Sequence, residues 1–212
     1  MLIDARENFG IREPFLKREL KDFLKIKNEN TFNQTLSSMA KFKLIKKIEN
    51  GMYYFPSLDE RFKDLKPSLE SIVKKKYLEN YNGIRTGAFL AYKYKLTTQV
   101  SGYYEIITNN VGKQTRAKKE YDGKVIVWAS KFEINKENYL YVEFLELVNN
   151  IKYSDYNYEN TKIILIDTFK KMKLNKEILR ELSYYYKGAV YYSFRKTIEE
   201  ILYEIAWKRK VV

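Results

Sequence analysis

The apolar positions Phe32, Leu36, Met39 and Ala40 recur at helical spacing, while Asn33, Ser37, Ser38 and Lys41 fall outside that stripe. Thr31-Phe32-Asn33-Gln34 has the Thr-x-x-Gln form of a capping box. The pattern therefore predicts a helix opening at Thr31, with a short polar surface turned away from its core. Leu44-Ile45-Lys46-Lys47-Ile48 and Met52-Tyr53-Tyr54-Phe55 flank Glu49-Asn50-Gly51, where Asn-Gly supplies the positive φ of a tight hairpin. Upstream, Pro14 suits the first position of a helix whose apolar face is Phe15, Leu16, Leu20, Phe23 and Leu24. Residues Leu2 to Asn8 predict a short first helix before Gly10, and Lys25 to Asn30 the turn between the next two. Helices followed by a basic strand and an apolar return predict a winged helix-turn-helix over residues 1–56.

The remaining pattern predicts a helical connector over residues 57–80 and an α+β domain over 81–212. Ser57-Leu58-Asp59-Glu60 reads as a second capping box opening a short helix toward Leu65; Pro67 stops it, and a helix follows from Ser68 to Asn80. Its Lys74-Lys75-Lys76 run predicts a solvated face. Thr86 to Tyr94 reads as a helix with small residues at Gly87, Ala88 and Ala91, and Tyr103–Thr108 and Val125–Trp128 as strands. Asn109 to Lys119 reads as a loop or a poorly patterned hairpin. Helices are predicted for Tyr139–Val148, Glu159–Met172, Lys176–Tyr186 and Ala189–Lys210. The fold class is thus α+β: an N-terminal winged helix-turn-helix, then a mixed α/β C-terminal domain ending in helices.

Composition narrows the chemistry more than the fold. Among 212 residues there is no histidine and no cysteine. Ser-His-Asp and Cys-His catalysis, disulfides and the common zinc sites are thereby excluded. None of the 8 glycines forms a phosphate-binding G-x-G-x-x-G run. No apolar run reaches the roughly 18 residues of a membrane span, and no secretory signal is apparent, so a cytoplasmic protein is expected. The net charge of +13 favours a polyanionic partner, but only +4 lies in residues 1–56 and the rest is in the body.

If the head reads double-stranded DNA, Thr31, Asn33, Gln34, Ser37 and Lys41 face the major groove, and Lys46 and Lys47 on the wing meet phosphates. Glu143 and Glu146 stand three apart on one helix, and Glu199, Glu200 and Glu204 cluster on the last. Such pairs can hold magnesium, yet no acidic strand residue followed by Glu-x-Lys accompanies them. Helix-surface carboxylates are the reading adopted, with no metal, no cofactor and no catalytic set. Tyr184-Tyr185-Tyr186 and Tyr191-Tyr192 read as amphipathic residues at a core margin.

The wing ending Asn50-Gly51-Met52-Tyr53-Tyr54-Phe55-Pro56 resembles that of AbiEi-type abortive-infection antitoxins, a winged-helix regulator family of type IV toxin–antitoxin systems. Gly87-Ala88-Phe89-Leu90-Ala91-Tyr92-Lys93-Tyr94-Lys95-Leu96-Thr97-Thr98-Gln99-Val100 is similar to that family's small-residue helix and Leu-Thr-x-Gln segment. The strand Tyr104-Glu105-Ile106-Ile107-Thr108 and the helix Tyr141-Val142-Glu143-Phe144-Leu145-Glu146 follow in the family's order, so the likeness covers roughly Pro14 to Asn150. It implies a non-enzymatic antitoxin that represses its own promoter and counteracts a nucleotidyltransferase-type toxin, with or without direct contact. A stand-alone winged-helix transcriptional regulator, a metal-dependent nuclease with a winged targeting head and a protein-binding module are the alternatives.

Overall fold

The computed structural model describes residues 2–112 and 116–207 of a mixed α+β chain with helices at both ends. Two compact units divide it, Met1–Lys76 and Tyr77–Val212.

The first unit begins with α1 (Leu2–Phe9), ended by Gly10 at φ +84°. Pro14 then opens a strand rather than a helix. β1 (Pro14–Leu16) pairs antiparallel with β3 (Met52–Tyr54), Pro14 opposite Tyr54 and Leu16 opposite Met52. Proline is tolerated at the first residue of a strand because its missing N–H interrupts no ladder there. The extended backbone buries Phe15 completely, with ring centroids 4.9 Å from Phe9 and 5.0 Å from Phe55. That aromatic packing overrides the local helical pattern. The helix starts only at Lys17, as α2 (Lys17–Phe23), and Glu19 Oε2 accepts from the Leu16 amide at 2.7 Å.

α3 spans Glu29–Lys41 and begins two residues before the expected Thr31. Asn28 is its cap, its side-chain oxygen accepting from the Thr31 amide at 3.0 Å, so Thr31 and Gln34 lie inside the helix and form no capping box. Phe32, Leu36 and Met39 are buried as the pattern requires; Ala40, one step off the stripe, is exposed. β2 (Lys46–Glu49) and β3 complete a sheet of order β1-β3-β2. Of the Asn50-Gly51 turn only Gly51 takes positive φ, +79°. A register shift between Lys47 and Glu49 marks a bulge in β2. Ala5, Phe15, Leu20, Phe32, Ile45 and Phe55 form the core.

Residues 57–76 also belong to this unit. The expected helix toward Leu65 is a single 3₁₀ turn, Glu60–Phe62, capped by Asp59 instead of Ser57. After buried Pro67, Ser68 caps α4 (Leu69–Val73), which continues as a π-helical turn, Lys74–Leu78. Only Lys74 of the lysine run is exposed. Lys75 pairs with Glu19 at 3.0 Å and Lys76 with Glu49 at 2.9 Å, so two of the three lysines fasten this segment to α2 and β2.

The second unit is built on a four-stranded sheet of order β4-β5-β7-β6: β4 (Gly83–Arg85), β5 (Tyr104–Thr108), β6 (Lys118–Glu120) and β7 (Val125–Ala129). β5 and β7 run parallel, the other pairs antiparallel. Residues 113–115 of the expected 109–119 loop lie outside the described residues, and its end, Lys118–Glu120, is strand. Helix α5 (Gly87–Lys93) follows β4, and α6 (Tyr139–Asn149), α7 (Tyr158–Lys171), α8 (Lys176–Ser183) and α9 (Tyr192–Trp207) follow the sheet. Positions 208–210 of the expected last helix are outside the described residues. Leu90, Phe144, Leu147, Leu165, Phe169, Leu179, Ile198 and Ile201 build the main core of this unit.

Candidate functional site

Two arrangements stand out, one in each unit. In the first, Gln34, Ser37 and Lys41 recur along the side of α3 opposite Phe32, Leu36 and Met39, and all three are exposed. Thr31 and Asn33 flank that line, also exposed. The exposed side of α3 is therefore a strip of hydroxyl, amide and ammonium groups, chemistry able to pair with base edges. Glu29, at the start of the helix, is held by Lys17 and Lys21. These two ammonium groups keep its carboxyl below the ordinary range.

The two lysines that open β2 are placed differently. Adjacent strand residues point to opposite faces. Lys46 is half-buried, its ammonium donating to the Lys63 carbonyl at 2.8 Å and to Asp64 at 2.7 Å. Lys47 is exposed and reaches the Asn50 side chain at 2.6 Å, beside the hairpin turn. Lys47 is thus the better disposed of the two toward a phosphate.

The second arrangement lies in the body, in residues read from sequence as surface carboxylates. Glu143 and Glu146 are instead 4% and 2% exposed, within a stretch of α6 buried from Val142 to Val148. The helix carries them inward because its opposite turns face the sheet and the α7–α9 layer at once. Lys93 pairs with Glu143. Glu146 accepts from the Tyr186 hydroxyl at 2.6 Å and from Thr86 Oγ1 at 3.1 Å, and Asn150 Nδ2 donates to the same Thr86 oxygen at 2.9 Å. Tyr186, the one buried member of the two tyrosine motifs, is thereby an internal donor. On the last helix, Glu199 pairs with Arg180, Glu204 with Lys162, and Glu200 accepts from Tyr158. Among the described residues no group of three or more acidic side chains is arranged to hold a metal.

Burial pushes the Glu146 carboxyl up from its ordinary 4.5, against the donors Tyr186, Asn149 and Thr86 and the charge of Lys131. Between the ordinary and the raised value the folded chain binds more protons than the unfolded one. Stability should therefore fall as pH rises above about 4.5 and level off above the raised value. Glu146→Gln keeps a hydrogen-bonding amide in place of the acid and should flatten this slope in urea titrations across that interval. A slope identical to that of the parent would assign the dependence to another group.

Sequence reasoning found Glu146 but not its surroundings. Glu105 on β5, Lys131 just after β7 and Lys152 after α6 line one cavity with it. The available signal was an acidic residue inside an otherwise apolar helical run. Neither the known protein-family models nor the curated proteins give a match to this chain.

Proposed function

We propose that the first unit is a winged helix-turn-helix that reads double-stranded DNA, and that the chain is an antitoxin repressing its own promoter. The observation that carries the DNA-reading step is the exposed polar strip of α3, set on a buried apolar stripe and followed directly by a tight hairpin. The order α1-β1-α2-α3-β2-β3, with β1 added to the hairpin through β3, supports it further. On this reading α3 enters the major groove, where Asn33, Gln34 and Ser37 choose bases, while Lys41 and Lys47 fix register on the phosphates. Lys46, engaged by Asp64, positions the wing. The antitoxin role rests on the sequence likeness to AbiEi-type proteins and would be exercised against a nucleotidyltransferase-type toxin.

Gel-shift titration on the upstream promoter, with a scrambled duplex alongside at near-physiological salt, tests the reading. Promoter-selective retention is expected. Asn33→Ala should cost about 1–3 kcal/mol and relax choice at one base position; Lys47→Ala should weaken all sequences alike and lower the salt slope by about 1. Equal losses on both duplexes for Asn33→Ala would remove that residue from base reading. Failure of the parent protein to bind either duplex would turn the head into a protein-interaction module. Restored growth on co-expression with a nucleotidyltransferase-type toxin tests the antitoxin role separately.

A further inference from the structure

In the body, Ile107 and Trp128, paired across β5 and β7, and the C-terminal end of α6 border a cavity of about 610 Å³. That volume lies within the range of small-ligand sites, about 300–1,000 Å³. Two lysines stand on its wall, Lys131 just after β7 and Lys152 just after α6. Neither makes an ion pair among the described residues. Lys131 lies over the Tyr191 ring at 5.3 Å and Lys152 over Tyr153 at 5.0 Å, contacts that leave both ammonium charges in place.

Two acids border the same space, yet both are turned to other partners. Glu146 accepts from the Tyr186 hydroxyl at 2.6 Å and from Thr86 Oγ1 at 3.1 Å. Glu105 lies against Gly87 and accepts from the Ala88 amide. Burial pushes both carboxyls up, toward the uncharged form. The two ammonium groups therefore set the sign of the field in the cavity, and it favours an anion. A monocarboxylate answers only one of them. A phosphate monoester carries about −1.5 to −2 at pH 7 and answers both.

Trp128 decides the rest of the guest. Its indole is 41% exposed on the cavity wall, and among the described residues no other ring and no cation lies over it. A large flat face left open beside two charges suits a ring stacked on it. Inorganic phosphate would leave that face and most of the volume unused. We propose that this cavity binds a phosphate monoester carrying a flat ring, its dianion held by Lys131 and Lys152 and its ring laid on Trp128. Every nucleobase has such a ring face, so stacking here does not choose among bases and a simple mononucleotide serves as probe.

Calorimetric titration of the full chain with AMP, adenosine and ribose 5-phosphate tests the assignment, because adenosine lacks the phosphate and ribose 5-phosphate lacks the ring. AMP should bind saturably, with each of the other two at least roughly tenfold weaker. The double variant Lys131→Gln, Lys152→Gln should weaken AMP by roughly tenfold or more. Trp128→Ala should weaken AMP to the same extent and leave ribose 5-phosphate unchanged. All three side chains are exposed, so these substitutions leave the core intact, and thermal melts verify that the variants fold. No saturable binding of AMP up to about 1 mM would overturn the proposal. So would adenosine or ribose 5-phosphate binding as tightly as AMP, or AMP binding unchanged in either variant. The assay contains no DNA, so its failure leaves the reading of the head untouched.

Discussion

Phe32→Ala should cost about 3–5 kcal/mol and abolish promoter binding, although Phe32 touches no DNA in the proposed complex. Its ring is wholly buried beneath the polar strip of α3, in the cluster formed with Phe15, Leu20, Ile45 and Phe55. Removing it empties the space under the helix, and a chain segment the size of this unit has only about 4–11 kcal/mol of stability in total. Lys17 also loses the ring that its ammonium lies over at 5.8 Å. Hydrogen exchange should show the loss first in α3 and the β2-β3 hairpin. The contrast with Asn33→Ala is diagnostic: that exposed residue should change affinity with no change in exchange protection. A Phe32→Ala protein with parental protection and parental DNA affinity would mean that α3 is not held as described.

Much of this geometry is legible in the sequence, and the failures have physical causes. Phe32, Leu36 and Met39 are spaced for a helix whose neighbours cannot change its period, so α3 could be read directly; its start moved because Asn28 competes successfully with Thr31 for the first free amides. Phe15 and Leu16 fit a helix face and a strand equally well, and only the pairing with β3 decides between them. β4 and β6 are each three residues long, and Lys118-Lys119-Glu120 has no apolar alternation at all. Such strands exist because β5 and β7 offer them partners, information that is absent from the local sequence.

The body cavity was illegible for the same reason on a larger scale. Glu105 and Lys131 are brought to one space by the parallel pairing of β5 with β7, and Lys152 by the turn that ends α6. No spacing rule links those positions. Glu146 carried only a weak signal: Phe144, Leu145, Leu147 and Val148 surround it in sequence, but helical spacing turns them to other sides of the helix and leaves an acid there free to meet solvent. Its burial with Tyr186, Thr86 and Asn150 depends on the elements packed around α6, which corrects the surface reading.

Gly83→Ala should destabilise the body by about 3 kcal/mol, the upper end of ordinary overpacking costs. A Cβ at Gly83 would lie 2.6 Å from the carbonyl oxygens of both Ile107 and Tyr77, and 2.8 Å from Thr108 Cβ. Two of these obstacles are backbone, one of them in β5, so no side-chain rotation relieves them. β4 must separate from β5, breaking the pairing of Gly83 with Thr108 and of Ile84 with Ile107. Thr108 Oγ1, which donates to the Asn82 carbonyl at 2.8 Å, shifts with it. Because β4 leads directly into Thr86, which lines the body cavity and donates to Glu146 at 3.1 Å, that contact should loosen together with the sheet. Gly102→Ala is the control: nothing lies within 4 Å of its added Cβ, and the urea midpoint should stay at the parental value. Equal midpoints for Gly83→Ala and Gly102→Ala would show that β4 is not held against β5 as tightly as these distances require.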